Sequence, residues 1–214
     1  METLLSKNKN TVCMIFARGG SKRLPKKNLM LLNGKPLIQY SIELAIDIFP
    51  KNKIYVSSDS TEILDFSTEF GVQISKRPLH LSDDSANELD AWKYEIKRLK
   101  ADGIKFDYIL SLPPTSPLRS IADINGAYKQ IAATKSDICI SITKSSRNPF
   151  FNMVLEDKRG YLRLVNNENN VHRMQDAPKV YDITTVCYLA NAEYIIEVDN
   201  FFKGNVCGVS IPKE

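Results

Sequence analysis

Residues Val12 to Ala17 form an almost wholly apolar run that breaks at once into Arg18-Gly19-Gly20-Ser21-Lys22-Arg23-Leu24-Pro25-Lys26-Lys27-Asn28. A short apolar run of this kind suits a strand buried on both faces, which commits the chain early to a sheet covered by helices. The loop that leaves the strand is suited to anions. Paired glycines let backbone N–H groups approach a phosphate, Ser21 adds a hydroxyl, and cationic side chains surround the turn. The spacing matches neither G-x-G-x-x-G nor the G-K-[ST] ending of a P-loop. A nucleoside triphosphate is the ligand such a loop points to, and a solvated basic turn is the plainer alternative.

Downstream, the pattern alternates strands and helices. Pro36 to Phe49 reads as a helix with proline at its start and Leu37, Tyr40, Leu44 and Ile48 at helical spacing. A strand over 53–57 leads to Asp59 or Ser60 as a helix cap, Gly71 ends that helix, and a short strand follows over 72–75. A helix over 87–101 carries Leu89, Trp92, Ile96 and Leu99 on one face, and Trp92 reads as core there, not as a base-stacking platform. Strands over 108–112 and 137–143 bracket a helix capped by Ser120 or Asp123. This order predicts a mainly parallel sheet in a three-layer α/β domain, with ligands beyond the carboxyl ends of its strands. From Ser145 to Asp182 short apolar pieces alternate with charged and amide runs, and Gly160 marks a hairpin turn. The 214 residues are expected to form one domain with 145–182 as an inserted, protruding arm. Val180 to Leu189, a helical turn over 192–197 and a strand over 206–211 return to the core.

The 29 basic and 25 acidic residues leave a net charge of +4, and no basic stripe extends beyond the 18–27 loop, which argues against nucleic acid. Cys13, Cys139, Cys187 and Cys207 make no C-x-x-C spacing and read as buried thiols in a reducing cytoplasm. The polar start from Met1 to Lys7 is unlike a signal peptide, and no apolar run approaches membrane-spanning length.

Five blocks then fall in a telling order. They are A-R-G-G-S-K-R-L-P-x-K-N at 17–28, G-K-P-L-I at 34–38, Ser57-Ser58-Asp59, Arg77-Pro78 with Ser82-Asp83-Asp84, and Pro114-Thr115-Ser116-Pro117-Leu118-Arg119. Together they resemble the CMP-sialic acid synthetases (acylneuraminate cytidylyltransferases), well over residues 11–145 and loosely beyond. The resemblance implies a Rossmann-like nucleotidyltransferase fold that transfers CMP from CTP to the anomeric hydroxyl of a nine-carbon α-keto acid sugar of the sialic, legionaminic or pseudaminic type, with release of pyrophosphate. Two alternatives stand beside it: activation of the eight-carbon sugar 3-deoxy-manno-octulosonate, or a catalytically weak sugar-nucleotide binding protein. It further implies a homodimer, with the arm at the subunit contact and closing the sugar site.

Nucleotidyl transfer requires neutralised phosphates, an in-line acceptor and a stabilised leaving group. Arg18 and Lys27 are the expected catalytic cations, with Gly19, Gly20, Ser21, Lys22 and Asn28 completing the phosphate loop. By resemblance the 77–84 segment receives the cytidine, where Arg77 and Ser82 suit the polar edge of the base; the plainer reading of Ser82 to Asp84 is a helix cap. Thr115, Ser116 and Arg119 are expected at the junction of nucleotide and sugar, and Arg119 and Arg173 compete for the sugar carboxylate. Gln175, Thr184 and Tyr188 complete the expected acceptor set. Pro113 stands where the family usually has Gln, and Thr184-Thr185-Val186-Cys187-Tyr188 where it commonly has Asn-Gly-Ala-Ile-Tyr. The family also continues past its last strand into a segment resembling Ile-Asp-Ile-Asp that holds magnesium. The sequence ends at Glu214 and no upstream carboxylate pair matches, so magnesium is expected with CTP and no protein ligand for it is assigned.

Overall fold

The computed structural model describes residues 10–20, 24–83, 86–167, 171 and 173–212. Among these residues eleven strands and five α-helices follow in the order β1 (Thr11–Phe16), β2 (Leu31–Leu32), β3 (Lys35–Pro36), α1 (Leu37–Ile48), β4 (Ile54–Ser58), α2 (Thr61–Thr68), β5 (Gln73–Lys76), α3 (Glu88–Ala101), β6 (Tyr108–Ser111), α4 (Ile121–Thr134), β7 (Ile138–Lys144), β8 (Val154–Glu156), β9 (Leu162–Leu164), β10 (Tyr181–Asn191), α5 (Ala192–Glu197) and β11 (Val206–Ser210). Seven strands make one sheet in the order β11-β7-β10-β6-β1-β4-β5. The run β6-β1-β4-β5 is parallel, and β10 joins β6 antiparallel.

Side-chain alternation along β1 sets the layers. Cys13, Ile15 and Ala17 join Ile54, Val56, Leu110, Leu112, Cys187 and Leu189 in a core against α1, α2 and α4. Met14 and Phe16 turn to the opposite face, where the Phe16 ring stacks on Trp92 of α3 at 5.6 Å. Trp92 is fully buried, as its place on the apolar stripe of α3 implies. The expected three layers are therefore present.

The helix starts follow the sequence closely. Ser60 accepts from the Ile63 N–H, Asn87 caps α3, and at α4 Ser120 and Asp123 act together in a reciprocal capping box. The short β2–β3 hairpin was not read from the sequence, although its turn residues Asn33 (φ 49°) and Gly34 (φ 80°) are the favoured pair for a two-residue hairpin.

Residues Ile142–Thr184 with Ser210–Glu214 form a second compact unit, and the remainder of the chain forms the first. Within the second unit β8 and β9 pair antiparallel, and the Asp157 carboxylate accepts from the N–H groups of Arg159 and Tyr161 to close their turn. Asn148 organises the rest. Its amide donates to the Pro178 carbonyl at 3.0 Å and its oxygen accepts from the Phe150 N–H at 2.9 Å. No described hydrophobic side chain of residues 142–184 is buried.

Candidate active site

A cavity of about 300 Å³ opens in the first unit beyond the carboxyl ends of β1, β5 and β6. Arg18 and Gly20 reach it from the loop after β1, Lys27 and Asn28 from the turn that follows, and Arg77, Ser82 and Asp83 from the connection after β5. Pro113, Pro114 and Thr115 close it from the end of β6. The topology explains the convergence, since parallel neighbours release their loops on one edge.

Each wall has its own support. The Arg18 carbonyl accepts from the buried Asn28 amide at 2.9 Å, which folds the basic loop back onto its strand. The Gly19 N–H donates to the Asp59 carboxylate at 2.9 Å. Arg18 itself is exposed, and its guanidinium donates to the Asp83 carbonyl at 3.5 Å, joining two loops of the cavity. Ser21 and Lys22 lie outside the described residues. Of the flanking cations, Lys26 is engaged elsewhere, in an exposed ion pair with Glu62 at 2.7 Å.

Arg77 sits deeper than a loop cation. It is only 7% exposed, and its guanidinium donates to the Ser57 hydroxyl at 3.2 Å and the Ser57 carbonyl at 2.8 Å. Its charge lies 5.6 Å from the centre of the Phe16 ring. Burial pulls its pKa down, and the nearby carboxylates of Asp59, Glu95 and Glu88 oppose that shift. The Ser82 hydroxyl is buried at the cavity wall and has no hydrogen-bond partner among the described residues. A buried hydroxyl without a partner costs stability, and a bound polar group would repair it.

The proline-rich loop departs from expectation at Arg119. That residue is 8% exposed and turns inward, donating to the Ser41 hydroxyl at 3.1 Å and to the Pro113 carbonyl. Burial lowers its pKa to about 10. Its fork is committed to the Ser41 side chain and to the backbone of its own loop, so it braces the cavity wall and is not presented to solvent, contrary to the expectation of a free carboxylate-binding fork. Thr115 lines the cavity and donates to the Thr185 hydroxyl at 2.9 Å, and Ser116 shares a hydrogen bond of the same length with Thr185. β10 thus brings Thr185, the neighbour of the expected Thr184, to this loop.

Tyr188 packs edge-on against Trp92 at 5.9 Å and beside Phe201, and burial pushes its hydroxyl pKa up to about 12. Its ring supports the core under Phe16 and does not line the cavity. Arg173, Gln175 and Thr184 belong to the second unit. Gln175 lines a separate cavity there of about 620 Å³, together with the cations Lys144, Arg147 and Lys179. Arg173 is exposed beside it in sequence.

Sequence reading missed Phe16 and Glu88 as wall residues. Phe16 ends the first strand on the face opposite Ile15, which is the signal that was available. No three His, Cys, Asp or Glu side chains converge as metal ligands among the described residues.

Comparison with known proteins identifies the family. A CMP-N,N'-diacetyllegionaminic acid synthase of Campylobacter jejuni is 32% identical over 91% of the chain and 83% of that enzyme. A pseudaminic acid cytidylyltransferase of the same species is 29% identical over 94% of the chain and 87% of that enzyme. A solved CMP:2-keto-3-deoxy-manno-octonic acid synthetase in complex with CTP superposes with a TM-score of 0.67, covering 95% of the chain and 91% of its own, at 16% identity; at that distance it supports the fold. The sequence pattern shared by cytidylyltransferases matches residues 12–201, from the first buried strand past α5, and the chain belongs to the cytidylyltransferase family.

Proposed function

We propose that this cytidylyltransferase transfers CMP from CTP to the anomeric hydroxyl of a nine-carbon α-keto acid sugar of the sialic, legionaminic or pseudaminic type, releasing pyrophosphate. The observation that carries the reading is the cavity itself, which Arg18, Gly20 and Lys27 line together with Arg77 and Ser82. Relatives of about 30% identity over most of the chain bear names for such sugars, which favours them over the eight-carbon alternative.

The roles follow from charge and reach. Arg18 and Lys27 neutralise the triphosphate and the charge that builds on the leaving pyrophosphate. The Gly19 and Gly20 backbone, with Ser21, Lys22 and Asn28, shapes the phosphate loop. Arg77 and Ser82 address the cytidine, the Ser82 hydroxyl gaining in the complex a partner that it lacks among the described residues. Thr115 and Ser116 orient the reacting end of the acceptor, and Arg119 holds their loop in place. The acceptor is an acidic sugar whose carboxylate calls for a cation, and Arg173 with Gln175 remain the residues expected to address it. Magnesium is expected with CTP in this reaction class, where it supplies charge neutralisation at phosphate oxygens.

A homodimer is part of the proposal, supported by the exposed apolar side chains of the second unit. A cytoplasmic setting is supported by four buried, unpaired cysteines. No described helix is long and apolar enough to cross a membrane. The direct test is pyrophosphate release from CTP in the presence of sialic, legionaminic, pseudaminic and 3-deoxy-manno-octulosonic acids. Release with a nine-carbon acid is the expected result. Release only with the eight-carbon acid would move the assignment to the alternative, and CTP binding without release would leave a binding protein.

A further inference from the structure

Helix α3 is strongly charged along its length, yet Glu95 in its middle is only 1% exposed. A buried carboxylate needs several donors to be tolerated. Glu95 has three: the hydroxyls of Ser57 at 2.7 Å and Ser75 at 2.6 Å on one oxygen, and the Arg98 Nε at 3.0 Å on the other. The sheet register places the two hydroxyls side by side, since Ser57 of β4 pairs with Ser75 of β5.

The direction of these bonds is fixed by chemistry. The Ser57 hydroxyl donates its O–H to the Glu95 carboxyl oxygen. Its oxygen is then left to accept from Arg77 Nε at 3.2 Å, while the Ser57 carbonyl accepts from Arg77 Nη2 at 2.8 Å. Two contacts from one residue fix the guanidinium plane beside the Phe16 ring, which is itself stacked on Trp92. We propose that Glu95 is a positioning residue that, through Ser57, holds Arg77 in the orientation the nucleotide cavity requires. The inference rests on the reading of that cavity as the CTP site. Pairing with Arg98 does not account for Glu95, because Arg98 also reaches the surface carboxylate of Asp102 at 2.9 Å. Replacement of Glu95 by Gln brings an NH₂ group to one of the two oxygen positions. Facing Arg98 it would oppose a donor that cannot reverse, so it faces the serines, whose hydroxyls can; Ser57 then accepts from it and turns its own O–H toward Arg77.

The experiment compares Glu95→Gln, Ser57→Ala and Ser75→Ala in the full chain by calorimetry with CTP and UTP and by pyrophosphate-release kinetics. Ser75→Ala removes a bond to the same carboxylate oxygen without touching Arg77, so it controls for a purely structural effect. Glu95→Gln and Ser57→Ala are expected to weaken CTP binding roughly tenfold, the scale of one hydrogen bond to a charged group. The loss should appear in KM for CTP, with kcat within about twofold, as for an interaction shared by ground and transition states. Ser75→Ala should lower the melting temperature about as much as Ser57→Ala while leaving CTP affinity within about twofold. Equal CTP affinities for Ser57→Ala and Ser75→Ala would overturn the proposal, as would a folded Glu95→Gln protein with unchanged KM. Should Glu95→Gln fail to fold, the serine pair decides alone. A wild-type protein that binds no CTP would instead overturn the functional reading, and this inference with it.

Discussion

Gly19 donates its backbone N–H to the Asp59 carboxylate at 2.9 Å, so the end of β4 holds the first turn of the basic loop that leaves β1. The approach is close enough that a Cβ on residue 19 would lie 2.7 Å from the Ser60 Cβ. Glycine is required here by proximity, because the obstructing atom is fixed to the backbone at the N-cap of α2. Asp59→Ala should weaken CTP binding by about tenfold, the lower end for a charge-assisted hydrogen bond, with the fold retained. Gly19→Ala should weaken it further by pushing the loop away from the cavity. Calorimetry with CTP checks both, and unchanged affinity in either variant would mean that the loop finds its place without this anchor.

The buried thiols define a pH response. Burial raises the Cys13 and Cys187 pKa values to about 12, against the model-compound value of 9.0, with Arg119 acting weakly in the opposite direction. Above pH 9 the unfolded chain releases these protons while the native protein keeps them. Stability is therefore full below about pH 9 and falls as pH rises toward 12, by roughly 1.4 kcal/mol per pH unit for each thiol. Denaturant melts between pH 8 and 10.5 should show the fall, and Cys13→Ala with Cys187→Ala should reduce its slope, the Cys139 thiol, also raised by burial, keeping a share. Native thiols should also resist alkylation at pH 8, and rapid labelling would contradict their burial.

Much of the scaffold could be read from the chain because its signals are local. Ser60, Asn87 and Ser120 announce helix starts by their own side-chain chemistry, and Gly71 (φ 72°) ends α2 in the backbone region glycine favours. The basic loop was equally legible, since its glycines and cations are contiguous. Direction was not. Arg77 and Arg119 both follow strand ends next to proline-containing turns, but one lines the cavity while the other is folded under its own loop. An arginine has the same letter whether its fork meets a ligand or a carbonyl. Glu95 was hidden for a related reason, because a carboxylate within Glu-Leu-Asp-Ala-Trp-Lys-Tyr-Glu reads as part of a solvated face. Its position three residues after Trp92, on the buried stripe, was the available sign.

Arg119 gives a prediction that separates the two readings of its role. A side chain facing the sugar carboxylate would, on replacement by Ala, raise the KM for the acceptor and leave the melting temperature nearly unchanged. The structure leads to the opposite expectation. Arg119→Ala leaves the Pro113 carbonyl and the Ser41 hydroxyl with only their long mutual bond of 3.5 Å, at a cost of about 1–3 kcal/mol. That corresponds to a melting temperature lower by several degrees for a chain of this size. Differential scanning calorimetry beside acceptor kinetics decides the matter, and a selective effect on the acceptor would place the guanidinium in the sugar site after all.

The second unit carries the prediction about assembly. Val154, Leu155, Tyr161, Leu162 and Ile183 are each at least 43% exposed, and none of the described hydrophobic side chains over 142–184 is buried. The β8–β9 register puts Val154 opposite Leu164 and Glu156 opposite Leu162, so one face of the hairpin gathers Val154, Leu162 and Leu164. Apolar side chains left in water on a two-stranded ribbon gain nothing from folding, whereas burial against a second copy would remove each from solvent at about 25 cal/mol per Å². The expected partner is the same surface on another chain, in a symmetric, self-complementary contact. Sedimentation velocity at micromolar concentration should therefore report a dimer for the wild-type protein. Val154→Asp with Leu162→Asp should shift it to monomer, because charges brought together across a two-fold contact repel and cannot be desolvated cheaply. The double variant should keep its native circular dichroism, since neither residue supports a core. A monomeric wild type, or a double variant that remains dimeric, would show that this face is not where the chain assembles.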